Sequence, residues 1–269
     1  MKTARRVDGA RRVEPVWGTM IGVDVRDPVA DELVDDLFTW FARVDDLFST
    51  WRDDSEISRL ARAEIARCDA APEVREVLDL CDTLTEETRG AFDITFAADS
   101  RVAPRPGFAP IDPSGFVKGW ALERAAMMLT DTGIMNFSIN AGGDVLTRGE
   151  PESNREWRVG IQHPAQRTAV AAVVTGTNLA VATSGRYERG DHIINPRTGA
   201  PATDFLSVTV VGDDLARADG YATAALVLGG DGMNWLATLP NIEAMAITNH
   251  HTVVRTDGFT GTEVLAPSP

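Results

Sequence analysis

A change of hydrophobic period part-way along the chain limits the folds open to it more than any other feature. Up to about Gly133, apolar residues recur mainly at three- and four-residue steps; beyond it they alternate in short runs. From Pro28 to Phe48, Leu33, Leu37, Phe41, Val44 and Leu47 share one face with acids opposite, which predicts an amphipathic helix. The same spacing predicts helices over Pro72–Thr88, closed by Gly90, and over Ser114–Leu129, through Phe116, Ala121, Ala125 and Met128. Asp53 with Glu56 reads as a capping box that opens a short helix running to Ala63. Val16–Val25 alternates and is predicted as a strand, Ala91–Phe96 as a short extended segment, and Arg101–Pro113 as a proline-rich loop.

The later alternating runs are Asn136–Asn140, Asp144–Arg148, Trp157–Ile161, Ala169–Val174, Leu179–Thr183 and Leu206–Val211. Helices over Asp213–Leu228 and Met233–Leu239 follow, then strands over Ile242–Thr248 and Thr252–Arg255. The expected class is α+β, with mostly antiparallel sheets and packed helices rather than regular βαβ units. The 269 residues, 43% of them hydrophobic, suffice for one large core or two fused subdomains.

A formal net charge of -14 argues against nucleic acid or an anionic membrane as the main partner. An anionic ligand would then need local help from a cation, a helix N-terminus or a few placed Lys and Arg. Met1–Pro15 carries Lys2, Arg5, Arg6, Arg11 and Arg12 without an apolar core, so it reads as a mobile basic tail and not a signal peptide. No run approaches the roughly 18 apolar residues of a spanning helix, and no Cys near the start suggests a lipid anchor. Cys68 and Cys81 make no CxxC pair; a reducing compartment, the cytoplasm, is expected.

Four places carry possible chemistry. Asp219 and Thr223, a helical turn apart, present oxygens from one face; they form either a hard-cation site or a solvated helix face. Ile111 to Gly119 leads into a helix whose free N–H groups suit an anion. There Asp112 or Ser114 is equally a plain N-cap, and Lys118 either reaches an anion or snorkels to water. Asn140-Ala141-Gly142-Gly143-Asp144 and Thr183-Ser184-Gly185 read as turns or as places where a ligand nears the backbone. His192, in the turn from Asp191 to Gly199, is either a general base or a structural histidine, whereas His250 and His251 fit a solvated hairpin. No HExxH, GxGxxG or GxxxxGK[ST] occurs, so zinc, Rossmann and P-loop sites are not supported.

In order along the chain stand Gly18-Thr19-Met20, Phe48-Ser49-Thr50-Trp51-Arg52 with Asp54-Ser55-Glu56, Gly90-Ala91-Phe92-Asp93-Ile94-Thr95 and Ile111 to Gly119. Asn140 to Asp144, Ala182-Thr183-Ser184-Gly185, His192 to Gly199 and Ala218-Asp219 with Ala222-Thr223 follow. This series resembles the ApbE family of FAD:protein FMN transferases, over roughly Trp17 to Leu228 and beyond. The resemblance implies tandem T-fold-like halves within one domain over residues 16–269, with FAD in the cleft between them. It implies flavin packing by Trp51, where the family usually has Tyr, and FAD contacts by Ala91, Phe92, Asp93, Asp112, Lys118 and Ile193. Trp17 replaces the family's usual Met at the adenine end of the pocket, and Asn195 stands where Asp is usual.

Asp219 and Thr223 coincide with the family's magnesium ligands, and Gly115 and Ala222 with main-chain carbonyl ligands. The implied reaction is Mg²⁺-dependent transfer of the FMN moiety of FAD to a Thr or Ser hydroxyl of an acceptor flavoprotein, releasing AMP. The target implied is a short Asp-Gly-x-Gly-Ala-Thr-like motif, and His192 is the expected base. Two rivals remain at this point: hydrolysis of FAD to FMN and AMP, and a module that holds FAD without reacting.

Overall fold

The computed structural model describes residues 6–7, 9–96, 111–186, 194–196 and 198–263. The chain opens with β1 (Arg6–Val7), β2 (Ala10–Val16), β3 (Thr19–Val25) and β4 (Val29–Ala30). β2 and β3 make an antiparallel hairpin turning at Trp17 and Gly18, and β1 pairs with β4. Ala10–Pro15, expected within a mobile tail, are therefore the outer strand of a hairpin. The inward face of β2 alternates with the outer one through Ala10, Arg12, Glu14 and Val16; Ala10 and Val16 pack on the core, and the two central positions are charged. Arg12 lies 4.6 Å over the Phe38 ring and pairs with Glu14 and Asp35, so its stem covers the helix below.

That helix, α1 (Asp31–Phe48), buries Leu37, Phe41, Val44 and Leu47 of the predicted stripe together with Val34, Phe38 and Phe48, while Leu33 at its start is only half-buried. It starts at Asp31 and not at Pro28 because Val29 and Ala30 are committed to β1. In α2 (Glu56–Ala61) the cap is Ser55, whose Oγ accepts the Ser58 N–H at 3.1 Å. The predicted Asp53 and Glu56 box does not form; Glu56 accepts the Ala71 N–H at 2.7 Å, just ahead of α3 (Pro72–Glu87). Ala91–Phe96 bends instead of extending, because Asp93 Oδ1 accepts both the Thr95 N–H at 2.8 Å and its hydroxyl at 2.7 Å. α4 (Ser114–Thr130) follows.

The remaining strands are β5 (Phe137–Ala141), β6 (Asp144–Arg148), β7 (Trp157–His163), β8 (Gln166–Gly176), β9 (Ala180–Gly185) and β10 (Phe205–Gly212). Then come α5 (Leu215–Leu228), α6 (Gly230–Leu236), β11 (Glu243–Thr248), β12 (Val253–Arg255) and β13 (Thr262–Glu263). An eight-stranded sheet runs β12-β11-β10-β9-β6-β5-β3-β2, with every pairing antiparallel. The expected α+β class is what the chain adopts.

The strands before β7 and those after β8 meet at β6 and β9, joined by the pairs Val145↔Val181 and Leu146↔Ala180. One face of this sheet, through Ile21, Val23, Ile139, Leu146, Ala182, Val208 and Ala244, packs on the helices. The other face, from β6 to β11, presents Val145, Val181, Met245 and Ile247 to the three-stranded sheet β13-β8-β7. Cover on both faces accounts for the nearly all-buried β9 and for the buried run Ser207–Val210 in β10. Close approach of α4 to α5 depends on Gly119, where a Cβ would strike the Leu215 carbonyl oxygen and lie 2.8 Å from Ala216 Cα.

Candidate functional site

The start of α4, the middle of α5 and the facing ends of β6 and β9 converge near the β6–β9 junction. α5 carries Asp219 and Thr223 on successive turns. Asp219 is 3% exposed, and its Oδ2 accepts the Gly119 N–H at 3.2 Å, which ties α5 to α4. Thr223 Oγ1 lies 2.9 Å from Ser184 Oγ, which ties α5 to the end of β9. A Cβ on Gly115 would stand 3.2 Å from Thr223 Oγ1 and 3.4 Å from the Phe92 ring. The bare backbone at this glycine therefore sits beside both. Asp144, the first residue of β6, is 1% exposed; its Oδ1 accepts the Thr183 N–H at 2.9 Å and its Oδ2 forms an ion pair with Lys118 Nζ at 2.5 Å.

Electrostatically the cluster is short of positive charge, since one ammonium faces two buried carboxylates. Burial pushes the Asp219 carboxyl up to about 7; Lys118 and the Gly119 N–H oppose the rise and Asp144 adds to it. A carboxylate so placed gains from a cation supplied from outside. The available donors are a carboxylate, two hydroxyls and main-chain oxygens, a set suited to a hard divalent ion. Among the described residues no group of three or more His, Cys, Asp or Glu is arranged to hold a metal. A cation here would thus depend on hydroxyl, backbone, ligand and water oxygens.

The other predicted residues fall at varied distances from this cluster. Ala91 and Phe92 are buried beside α4, with the Phe92 N–H donating to Thr88 Oγ1 at 3.0 Å. Asp93 closes its own turn. Asp112 Oδ1 accepts the Ser114 N–H at 3.0 Å in a turn just ahead of α4, whose N-cap is Pro113 and not the expected Asp112 or Ser114, and the Asp112 N–H donates to the Ile94 carbonyl at 2.8 Å. That bond brings the Ala91–Asp93 stretch and the α4 entry together. Ala222 is buried on α5 between Asp219 and Thr223.

Trp17 sits at the β2–β3 turn with φ 55°, its indole N–H donating to the Phe41 carbonyl at 3.0 Å and its ring edge-on to Phe41. It is thereby anchored on α1. Its hairpin abuts the Asn140–Asp144 turn, because a Cβ on Gly142 would come within 2.9 Å of Thr19 Oγ1. Trp51, in the turn after α1, is 65% exposed. His192 and Ile193 lie outside the described residues. Asn195 is described, and its amide donates to the Val227 carbonyl at 3.4 Å, reaching the end of α5.

Sequence reasoning left Asp144, Thr183 and Ser184 without individual roles. The signal that could have found them is the acid directly after Gly142-Gly143 and the hydroxyls directly before Gly185, at strand ends that meet in space.

Fold and site together define an α+β protein with a buried acid and hydroxyl site at the meeting of two helices with the middle of an antiparallel sheet. The chain belongs to the ApbE family, whose model matches residues 17–104 and 98–246. The FAD:protein FMN transferase of Klebsiella pneumoniae is 29% identical, over 69% of this chain and 68% of that relative. That of Rhodobacter capsulatus is 34% identical, over 57% of this chain and 30% of its own length. Among solved structures, the flavin transferase ApbE from Vibrio cholerae superposes with a TM-score of 0.78 at 23% identity, covering 96% of this chain and 99% of that one. The ApbE protein from Thermotoga maritima gives a TM-score of 0.78 at 21% identity, covering 93% and 97%. These two likenesses bear on the fold. Among the described residues no helix is long and apolar enough to cross a membrane.

Proposed function

We propose that this chain transfers the FMN moiety of FAD to a Thr or Ser hydroxyl of an acceptor flavoprotein, with Mg²⁺ as cofactor and AMP as the leaving product. The observation that carries the reading is the convergence of Asp219, Thr223, Ser184 and Lys118 around the start of α4. The FMN transferase activity in the names of the relatives supports the same reading.

Asp219 and Thr223 would hold the Mg²⁺, joined by the main-chain carbonyls of Gly115 and Ala222. The buried, cation-poor Asp219 carboxylate and the hydroxyl pair fit a hard ion. Bound there, Mg²⁺ supplies charge neutralisation for a diphosphate. Lys118, held by Asp144 at the edge of the cluster, offers its ammonium to the same anion. Ala91, Phe92, Asp93 and Asp112 would form the flavin wall, Trp51 would stack on the ring, and Trp17 and Ile193 would complete the FAD pocket.

In the reaction the acceptor hydroxyl oxygen attacks the FMN-side phosphorus and forms a new phosphoester bond. The bond between that phosphorus and the bridging oxygen breaks, AMP leaves with the oxygen, and His192 takes the hydroxyl proton. Alignment of hydroxyl and diphosphate contributes most of the acceleration expected of such a site. Residues 16–269 would act as one transferase domain, and the free thiols Cys68 and Cys81 fit a reducing, cytoplasmic setting.

The test mixes protein, FAD, Mg²⁺ and a peptide bearing the Asp-Gly-x-Gly-Ala-Thr-like motif, then weighs the peptide. Gain of one FMN is expected. AMP formed without a heavier peptide would convert the reading to FAD hydrolysis; FAD bound tightly with no AMP formed would leave a flavin-holding module.

A further inference from the structure

Two buried acids, Asp144 and Asp219, share the neighbourhood of one lysine, and they differ in how they are held. Asp144 is fixed at both oxygens, one by the Thr183 N–H at 2.9 Å and the other by Lys118 Nζ at 2.5 Å. It enters β6 directly from Gly142 and Gly143, whose φ of 60° and 98° make the tight turn that aims it back toward α4. Lys118 in turn is the chain neighbour of Gly119, whose N–H donates to Asp219 Oδ2 at 3.2 Å. The ammonium therefore begins its reach one residue from the contact that marks Asp219.

We propose that Asp144 is a positioning residue: it tethers the Lys118 ammonium so that the Asp219 carboxylate stays open to a divalent cation. The idea rests on the reading of Asp219 as a cation ligand. Each of the two buried carboxylates seeks a cation, and the ammonium, on a side chain 27% exposed, is the one at hand, because an unpaired buried charge is costly. With Asp144 present the lysine is satisfied beside the cation site; with Asp144 neutral, Asp219 becomes the acid it pairs with, and an entering cation must first displace it. Asp144 thereby also sets where the lysine's charge stands relative to a bound diphosphate.

The test is titration of Mn²⁺ into FAD-free protein, followed by calorimetry or by the signal of free Mn²⁺ in electron paramagnetic resonance. The proteins are wild type, Asp144→Asn, Lys118→Gln, the double variant and Asp219→Asn. Asparagine keeps the size of Asp144 and an acceptor for the Thr183 N–H, and melting curves check that each variant folds. The expectation is at least a tenfold loss of Mn²⁺ affinity in Asp144→Asn and recovery to within threefold of wild type in the double variant. Lys118→Gln alone is expected to bind at least as tightly as wild type.

A double variant as weak as Asp144→Asn would overturn the inference, because a ligand or a purely structural residue is not rescued by removing a lysine. So would Asp144→Asn binding within twofold of wild type while Asp219→Asn does not bind; the cation site itself would then stand. Wild-type binding that survives Asp219→Asn, or no binding to wild type at all, would overturn the cation reading and this inference with it.

Discussion

Asp219→Asn is expected to stabilise the cation-free protein at pH 8 while abolishing both cation binding and FMN transfer. Burial raises this carboxyl from its ordinary 3.8 to about 7, so at pH 8 the native state holds an ionised group in a place that favours the neutral one. The native state binds the proton more tightly than the unfolded chain does. Stability present below about pH 4 is therefore lost as pH climbs through about 7. At 1.36 kcal/mol per pH unit the loss has a ceiling of about 4 kcal/mol. That ceiling already includes the opposing attraction of Lys118; asparagine differs from a protonated carboxyl in its hydrogen bonding, so a gain of about 2 kcal/mol, roughly half the ceiling, is expected. For a chain of this size the gain corresponds to a melting temperature higher by roughly 4–8 °C.

The assay is thermal melting of both proteins in EDTA from pH 5 to pH 8.5, repeated at pH 8 without EDTA and with Mg²⁺ raised stepwise until the melting temperature of the wild type responds. The gap between variant and wild type is expected to shrink to less than half at pH 5. Mg²⁺ is expected to raise the wild type and to leave the variant unmoved. A variant that melts at or below the wild type at pH 8, with the same pH profile, would refute the electrostatic argument.

Gly119→Ala is expected to destabilise by about 2–4 kcal/mol in urea unfolding, because its Cβ would meet the backbone of Leu215 and Ala216 instead of a movable side chain. Trp51→Ala, at a site 65% exposed, is expected to leave stability within about 0.5 kcal/mol of wild type. In steady-state kinetics the same variant is expected to raise KM for FAD by roughly three- to tenfold through lost stacking. Ser184→Ala removes the 2.9 Å partner of Thr223 Oγ1, and is expected to lower kcat roughly threefold to tenfold with a stability cost of about 1 kcal/mol, read by the peptide-labelling rate and by melting.

Local periodicity made the helices legible: Leu37, Phe41, Val44 and Leu47 on α1 and the run from Phe116 to Leu129 on α4 face the core as their spacing predicts. The turn between Asp219 and Thr223 was legible for the same reason, because four-residue separation on a helix fixes a shared face. β2 was not, since the two central positions of its inward face, between Ala10 and Val16, are Arg12 and Glu14, and Arg12 covers Phe38 with an aliphatic stem and a cation that no apolar pattern registers. Ser55 took the cap expected of Asp53, because Glu56 was drawn to the Ala71 amide, 15 residues further on and invisible to a local rule. The pairing of Lys118 with Asp144 and of Ser184 with Thr223 likewise joins residues brought near each other by sheet order, which no short motif encodes. The order of the motifs along the chain, and not any one of them, carried the family resemblance that the family match bears out.

The meeting of β6 with β9 through Val145↔Val181 and Leu146↔Ala180 has a practical corollary for dissection of the molecule. A cut between Gly149 and Trp157 would leave Gly115, Lys118 and Asp144 on one fragment and Thr183, Ser184, Asp219 and Thr223 on the other. Neither piece would own the full donor set of the proposed cation site, so Mn²⁺ binding regained on mixing would report reassembly, and a chain bearing that site would serve as a split reporter.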